Sequence, residues 1–353
     1  MTRRPIFAAA LVATAFGSAC STVNPYYDPT KPHQRPGGFQ NVEPQALMPR
    51  PFGDFMRWQR NRWSLDIPAP KMDLTPIAPD LGFIRANKSE FAATWIDHAT
   101  VLVQLGGVNV LTDPHFSERA SPVQFAGPKR WQPPAITMKD LPRIDVVFVS
   151  HNHYDHLDEG SVRALNAQAG GPPLFVVPLG LERWLAGAGI TNAKALDWWD
   201  SVTVGAAKIT LTPVQHWSRR SYSDTNTSLW GGTALEAAGR RVFFVGDTGY
   251  SAQHFDEIGA RFGGFDLALI PIGAYEPRWF MRAQHVNPEE AVLIHRDVRA
   301  RLSIGVHWGT FLLTDEPLDQ AVTDLAAART KLGVRDEAFV TVKHGETVKF
   351  RDR

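Results

Sequence analysis

The residues best suited to chemistry in this 353-residue chain lie in one hexapeptide, His-Asn-His-Tyr-Asp-His, at positions 151–156. It directly follows residues 145–150, an apolar run typical of a buried strand. Residues two apart on extended backbone point the same way, so His151 and His153 can share one metal ion. A turn after them would direct Asp155 and His156 to a second ion. Imidazole and carboxylate ligands suit zinc and similar divalent cations.

Three further candidate ligands stand at or just beyond the ends of predicted strands. His216 follows Leu-Thr-Pro-Val-Gln, Asp247 follows Val-Phe-Phe-Val-Gly, and His307 follows Ile-Gly-Val. Strand ends are where an α/β sheet presents functional groups, and the two oxygens of Asp247 would let it bridge two cations. A lone histidine at such a position is more often structural. Together with the hexapeptide, however, these residues predict a two-metal hydrolytic site.

The elements that must position these residues alternate between strand and helix without a fixed repeat, which indicates a layered α/β domain. Strands are predicted at residues 91–103, 108–112, 145–150, 174–178, 208–214, 229–237, 241–246, 266–271, 303–307 and 339–342. Helices are predicted at residues 159–168, 181–187 and 317–332, with another that begins at Asn287 and Pro288.

The first residues have the layout of a bacterial export signal. Residues 1–19 hold two arginines, an apolar run over 6–16 that is too short to span a bilayer, and then small residues. Cys20, the single cysteine, stands where a lipoprotein signal places its lipidated residue, although Gly17 occupies a position that usually holds Leu. We therefore predict a lipid-anchored protein of the bacterial cell envelope that faces the periplasm. The alternatives are cleavage after Ala19 without lipidation, giving a periplasmic protein, and no export.

Composition indicates how the rest of the chain is organised and which partners to expect. Residues 20–60 include seven prolines, too many for a helix or a central strand, and predict either a tether or a wrap along the domain surface. Residues 61–353 are assigned to one metallo-hydrolase domain. A single cysteine excludes an intrachain disulfide framework. The 37 basic and 36 acidic side chains nearly cancel, so nucleic acid is not an expected partner.

The order of the motifs resembles the metallo-β-lactamase superfamily. The resemblance narrows to the N-acylphosphatidylethanolamine-hydrolysing phospholipase D family through residues 95–100, 111–122, 127–131, 151–158, 178–184, 246–250, 272–281, 284–292, 307–311 and 342–347. It covers roughly residues 30–350 and is most specific at 272–292, whereas residues 218–224 match poorly. It implies an α/β fold, a four-layer αββα sandwich with a dinuclear zinc site at one edge.

The resemblance also implies roles for individual residues. One zinc ion would be held by His151, His153, His216 and Asp247, and the other by Asp155, His156, His307 and Asp247. His285 and Tyr154 match positions that contact the lipid phosphate or acylamide. The relatives imply a homodimer. Iron or manganese would fit the same nitrogen and oxygen ligands, so the ligand set favours zinc without fixing it.

The predicted chemistry follows from charge. Two cations about 3.5–4 Å apart can share a water and lower its pKa from ~15.7 towards ~7, and the resulting hydroxide would attack phosphorus. Asp155 would orient this hydroxide and Asp247 would bridge the ions, so both are predicted to be catalytic. His285 would stabilise the phosphate or donate a proton to the leaving alkoxide. His285 as a locally hydrogen-bonded residue is the structural alternative.

Two polar residues are predicted to lie behind the ligands. Asp113 would fix a ligand imidazole, or else cap the turn before Pro114, and His98 would support the ligands or be a buried strand histidine. The alternative to a substrate contact for Tyr154 is that it only forms part of the wall of the site. Trp217, Trp279 and Trp308 would line an apolar acyl channel, unless they belong to the core. The apolar and basic residues of 52–63 would rest on a membrane interface or pack against the domain.

Taken together, the sequence predicts a zinc-dependent phosphodiesterase of the phospholipase D type that acts on phospholipids at a membrane surface. One alternative is a metallo-hydrolase of another ester, a lactone or an amide. The other is a non-catalytic envelope protein that binds lipid or metal.

Overall fold

The computed structural model describes residues 23–43 and 52–350. The export signal at 1–19 and the lipidation site Cys20 lie outside these residues. The strands are β1 (Gln34–Arg35), β2 (Gly38–Phe39), β3 (Phe91–Asp97), β4 (Thr100–Leu105), β5 (Val108–Thr112), β6 (Val146–Phe148), β7 (Leu174–Pro178), β8 (Ala193–Leu196), β9 (Ser201–Val204), β10 (Ala207–Thr212), β11 (Gly232–Ala237), β12 (Arg240–Phe244), β13 (Phe265–Pro271), β14 (Ala300–Val306), β15 (Phe339–Val340) and β16 (Thr347–Phe350).

The α-helices are α1 (Phe52–Trp63), α2 (Leu81–Ala86), α3 (Glu159–Asn166), α4 (Leu181–Gly187), α5 (Ala252–Phe262), α6 (Arg278–Met281), α7 (Pro288–Asp297) and α8 (Gln320–Leu332). Helix α7 begins as the sequence predicts, because the Asn287 side chain accepts from the Glu290 N–H while Glu290 reaches back to the Asn287 N–H. Within residues 23–43 and 52–350, no helix combines the length and apolar character needed to cross a bilayer.

Most strands form two mixed sheets of seven strands each. The first has the order β16-β3-β4-β5-β6-β7-β8 and the second β15-β14-β13-β12-β11-β10-β9. In each sheet, antiparallel hairpins continue into parallel strands, β5 to β8 in the first and β12 to β15 in the second. The fold is therefore α/β, as the sequence predicts, and both of its large sheets are mixed.

Apolar side chains of both sheets form one continuous core. Phe148 of the first sheet meets Phe244 of the second edge-to-face, with ring centroids 6.1 Å apart, and both are fully buried. Helices α5, α7 and α8 add buried residues to this core. A smaller cluster lies between the first sheet and helices α2, α3 and α4. Each sheet thus carries helices against it, which leaves the strand ends as the places where polar groups can gather.

The strand predicted over residues 91–103 is wrong, because the structure divides it into β3 and β4. The chain turns at His98, whose φ is 39°, and the pairing register shifts between Trp95 and Asp97. The indole Nε1 of Trp95 donates to the His98 carbonyl at 2.9 Å and closes the turn. The continuous apolar pattern hid this break. Its consequence is that His98 lies at a strand end rather than inside a strand.

Residues 23–43, here called the N-terminal strap, pack on the domain. The side chains of Lys31, His33 and Gln34 all contact the buried carboxylate of Asp197. For these residues the structure shows the wrap rather than the tether. Helix α1 runs across the boundary that the sequence predicts at residue 60. That helix is held to the domain by Trp58, whose Nε1 donates to Asp315.

Candidate metal centre and active site

Three histidine nitrogens converge where β6 and β10 end. The Nδ1 atom of His153 lies 2.8 Å from Nε2 of His151 and 3.2 Å from Nε2 of His216. Nitrogens that bind one zinc ion at 2.0–2.1 Å in a tetrahedral arrangement lie about 3.3 Å apart. The three imidazoles, termed the first group, therefore have the spacing that a shared cation requires.

A second group lies beside the first and combines imidazole with carboxylate. The Nε2 atoms of His156 and His307 are 3.1 Å apart, and each lies 3.3 Å from Oδ2 of Asp155. His156 and His307 are almost completely buried. This mixed nitrogen and oxygen set is again one that a divalent cation prefers.

Asp247 faces both groups at once. Its Oδ2 lies 3.1 Å from Nε2 of His156, 3.8 Å from Nε2 of His216 and 3.9 Å from Nε2 of His151. Its Oδ1 lies 3.2 Å from Nε2 of His307. The carboxylate thus lies between the two groups, where the sequence predicts a ligand shared by two cations.

The cluster fits a divalent metal centre on its own geometry. Oδ1 of Asp247, which faces these ligand atoms, is buried and lacks a hydrogen-bond partner among the described residues. Buried polar atoms are rarely left without partners in folded proteins. A cation would also separate the lone pairs that face one another in the first group. We conclude that the chain holds a metal-binding site at this edge of the sheets.

Asp113 orients one ligand from each group. Its Oδ2 accepts from Nδ1 of His156 and from Oγ of Ser150, both at 2.6 Å, and its Oδ1 accepts from the Ser150 N–H at 2.7 Å. Oγ of Ser150 in turn lies 2.9 Å from Nδ1 of His151. With protons on these Nδ1 atoms, the Nε2 lone pairs of His151 and His156 point into the cluster.

His98 stands behind the second group. Its Nε2 lies 3.0 Å from Oδ2 of Asp155, and its carbonyl accepts from the His307 N–H at 2.8 Å. Both His98 and His307 have positive φ, 39° and 63°. His98 is thus able to hold Asp155 in place, and it is also close enough to be counted with the second group as a ligand.

His285 lies at the rim of the centre. Its Nδ1 is 3.8 Å from Oδ2 of Asp247, and its ring centroid is 5.3 Å from that of His216. The preceding residue, Gln284, accepts from Nδ1 of His216 through its carbonyl at 2.9 Å. The segment before α7 therefore both orients one ligand and places His285 beside the carboxylate that faces both groups.

The tyrosine and the three tryptophans that were also predicted to contact substrate lie in different surroundings. The hydroxyl of Tyr154 donates to the Arg220 carbonyl at 2.9 Å. Trp217 packs edge-to-face on His153, with centroids 4.5 Å apart, whereas Trp308 is buried against Trp95 in the core. Trp279 is 48% exposed on α6. Of the three tryptophans, only Trp217 has a described contact with one of the cluster histidines.

Arg220 is a residue that the sequence analysis missed. Its Nη1 donates to the carbonyls of Asn152 and Leu157, at 2.9 and 2.7 Å, and so links the two ends of the histidine-rich loop. The guanidinium lies between the rings of Tyr154 and Trp184, 4.1 and 4.7 Å from their centroids. The feature of the sequence that could have indicated it is its place within residues 218–224, the stretch that matches the family poorly.

Burial and neighbouring charge separate the pKa values of the histidines. Burial lowers the pKa of His151 and His216 far below the ordinary range, and that of His153 to about 4. Burial also opposes a charge on His156 and His307, but nearby carboxylates, Asp247 foremost, outweigh it. They raise the pKa of His156 well above its usual value and that of His307 to about 9.

The two carboxylates respond in the opposite sense. Burial would raise the pKa of Asp155 and Asp247, yet the imidazoles, with His156 first, hold both pKa values well below the usual range. The first group therefore offers neutral nitrogen lone pairs, while the second presents carboxylate oxygens. These are the protonation states that metal ligands need, whereas His156 and His307, with their raised pKa values, must release a proton when a cation binds.

Known proteins are similar to this chain in sequence and in fold. A family profile described as "Beta-lactamase superfamily domain" matches residues 108–308. The Caenorhabditis elegans protein "N-acyl-phosphatidylethanolamine-hydrolyzing phospholipase D 1" is 45% identical over 284 residues, which are 76% of this chain and 78% of that protein. A metal-dependent hydrolase of Nitratidesulfovibrio vulgaris is 30% identical over 228 residues, 63% of this chain and 82% of that protein.

Among solved structures, a possible metal-dependent hydrolase from Veillonella parvula has a similar fold. Its TM-score is 0.59 at 17% identity, and the match covers 74% of this chain and all of that chain. At this identity the likeness concerns the fold alone. The matched profile range includes the hexapeptide, His216, Asp247 and His307.

Proposed function

The chain belongs to the metallo-β-lactamase superfamily, and from that premise we propose that it is a zinc-dependent phosphodiesterase of the phospholipase D type. Its substrate would be an N-acylphosphatidylethanolamine-like phospholipid. The observation that carries this proposal is the 45% identity, over about three quarters of both chains, to a phospholipase D named for that substrate. A cluster with the ligand types and spacing of a hydrolytic metal centre supports it.

Two cations would be held in the centre, one by the first group and one by the second, with Asp247 facing both. When bound, they would supply Lewis acidity to water and to the phosphoryl oxygens. Asp113 keeps the ligand rings in their binding tautomers, and His98 restrains the Asp155 oxygen that faces His156 and His307.

His285 is placed to act on the substrate itself. At the rim, it would donate a hydrogen bond to a phosphoryl oxygen or to the head-group oxygen as that oxygen leaves. The water oxygen bonds to phosphorus and gives up a proton, the bond between phosphorus and the head-group oxygen breaks, and that oxygen takes up a proton. The products would be phosphatidic acid and an N-acylethanolamine.

We also propose that the protein works at a membrane surface in the bacterial cell envelope. Helix α1 supports the membrane contact, because it carries large apolar side chains that are 41–85% exposed: Phe52, Phe55, Met56 and Trp63. Arg57 of the same helix lies over the Trp279 ring, 3.8 Å from its centroid. Apolar side chains interleaved with arginine suit the interface of an anionic bilayer.

The decisive experiment is a lipid assay on purified protein whose metal content has been measured. Wild type, Asp247→Asn and Asp319→Asn are incubated with N-acylphosphatidylethanolamine vesicles and the products are quantified by mass spectrometry. We expect equal amounts of phosphatidic acid and N-acylethanolamine from wild type. Asp247→Asn should lose more than about 100-fold, because loss of a direct ligand exceeds the 10–100-fold typical of its outer partners.

Asp319→Asn is the matched control. Asp319 is also a buried carboxylate, and it accepts the backbone N–H groups of Lys71 and Met72. It should retain the activity. Free fatty acid or lyso-lipid without phosphatidic acid would instead establish an acyl ester or amide hydrolase. If metal-loaded protein leaves every lipid intact, the result would favour the alternative of a non-catalytic protein that binds lipid or metal.

A further inference from the structure

The backbone of His216 is held by the side chain of Asn41, which lies near the N-terminus, 175 positions earlier in the chain. Nδ2 of Asn41 donates to the His216 carbonyl at 2.9 Å, and the His216 N–H donates to Oδ1 of Asn41 at 3.0 Å. A carboxamide presents a donor and an acceptor side by side, so it pairs with both peptide groups of one residue as a neighbouring strand would. His216 lies beyond the end of β10, where the regular ladder has stopped.

This pairing removes most of the freedom left to His216. Its Nδ1 is engaged by the Gln284 carbonyl at 2.9 Å, and the backbone on both sides of its Cα is bound to Asn41. The remaining nitrogen, Nε2, points at His153 and Asp247. The ring is therefore held from two directions in the orientation that binding requires.

The position of Asn41 is itself well anchored. Three side chains of the N-terminal strap converge on Asp197, and Phe39, two residues before Asn41, is fully buried. The Phe39 N–H donates to the Asn226 carbonyl at 2.8 Å. On the other side, Glu43 accepts a hydrogen bond from the hydroxyl of Ser251, which caps α5. Asn41 thus sits between two fixed points.

We propose that Asn41 is a positioning residue for the metal ligand His216, and that the N-terminal strap completes the metal centre. This inference rests on the proposed function only in that His216 binds a cation. It assigns a role in the metal centre to a part of the chain that lies before the catalytic domain predicted from the sequence. The competing explanation is that Asn41 only attaches the strap to the domain and does not affect metal binding.

The test compares Asn41→Ala with Gln40→Ala. Gln40 is the adjacent residue of the strap, and its side chain donates to the Pro32 carbonyl at 2.8 Å. Zinc affinity is measured by competition with a chromophoric chelator, and the metal-free proteins are unfolded in urea. For Asn41→Ala we expect one of two zinc equivalents to bind roughly 10–100-fold more weakly, the range known for partners behind metal ligands.

Cobalt substitution provides a second readout. The visible absorption of the Co²⁺ protein should change in Asn41→Ala, because the geometry of the site that contains His216 changes, and it should stay unchanged in Gln40→Ala. Wild-type zinc affinity and spectrum in Asn41→Ala would overturn the proposal, including the case in which only the free energy of unfolding falls. Weakened zinc binding would support it even if the wild type cleaved no phospholipid, so the two proposals fail separately.

Discussion

One carboxylate, Asp113, carries the orientation of both halves of the metal centre. It is fully buried, binds His156 directly and reaches His151 through Ser150. All of its partners are donors, so both of its oxygens must act as acceptors. Burial raises its pKa, and the contacts with His156 and Ser150 oppose that rise by favouring the charged form.

Asp113→Asn is therefore expected to weaken zinc binding by roughly 10–100-fold without changing the shape of the side chain. An amide would turn an N–H group towards Ser150 or His156, where a donor already stands. The measurement is chelator competition, with Asp319→Asn as the buried carboxylate that lies outside the cluster. Unchanged affinity in Asp113→Asn would show that the rings keep their orientation without the carboxylate.

Residue types and spacing were enough to predict the candidate ligands and two of their supports, Asp113 and His98, but not the other supports. The six residues of the two groups come together with Asp247, and Asp113 and His98 lie behind them. Asn41 and Arg220 were missed because they act on backbone atoms of distant residues. A contact such as that between Asn41 and His216 joins positions 175 apart and leaves no motif.

At the scale of elements, the prediction succeeded where apolar runs were bounded by clear turn residues. Strand β7 and helix α4 have the predicted bounds. Helix α1 was missed, although its Phe, Met, Trp and Arg content was noted, because the seven prolines that precede it favoured an extended segment. Strand β16 was also missed, since four residues with partial burial give too little pattern to recognise.

Helix α1 leads to a prediction about membrane binding. Replacing both Phe55 and Met56 with Ser should reduce co-sedimentation with anionic phospholipid vesicles by about 10-fold or more, because burying each such side chain contributes about 1.5–3 kcal/mol. Both are exposed, at 41% and 50%, so the free energy of unfolding should hardly change. Turnover of a detergent-dispersed short-chain substrate should also persist.

Phe125→Ser is the control for that experiment. Phe125 is 84% exposed but lies in a loop between β5 and β6, outside α1. It should bind vesicles as wild type does. Equal vesicle binding by the double variant and wild type would exclude α1 as the contact surface.

For the molecule as a whole, buried neutral histidines set the response to acid. Burial lowers the pKa of His254, His295 and His344 from 6.5 to about 4, and all three lie outside the metal centre. Below pH 6.5 the unfolded chain binds protons at these positions, whereas the folded chain does not until about pH 4. The free energy of unfolding must therefore decrease as the pH is lowered from 6.5 towards 4, by up to about 1.4 kcal/mol per pH unit for each histidine.

His254 allows this effect to be isolated. Its Nδ1 lacks a hydrogen-bond partner among the described residues, and its ring packs edge-to-face on Trp198. Urea unfolding of the metal-free protein between pH 7.5 and 5 should show a shallower loss of stability for His254→Gln than for wild type. Gln253→Ala, an exposed change on the same helix, should keep the wild-type slope. Parallel pH profiles for all three proteins would contradict the assignment.

The place of β16 has a consequence for how the polypeptide is made. Thr347 pairs with Thr94 across 253 positions, and Phe350 stacks on Phe91 with ring centroids 4.0 Å apart. While the ribosome is still translating, β3 has an open hydrogen-bonding edge next to an uncovered phenylalanine, a state that invites intermolecular pairing. Premature termination before codon 347 should therefore yield insoluble polypeptide even though every candidate ligand has already been translated.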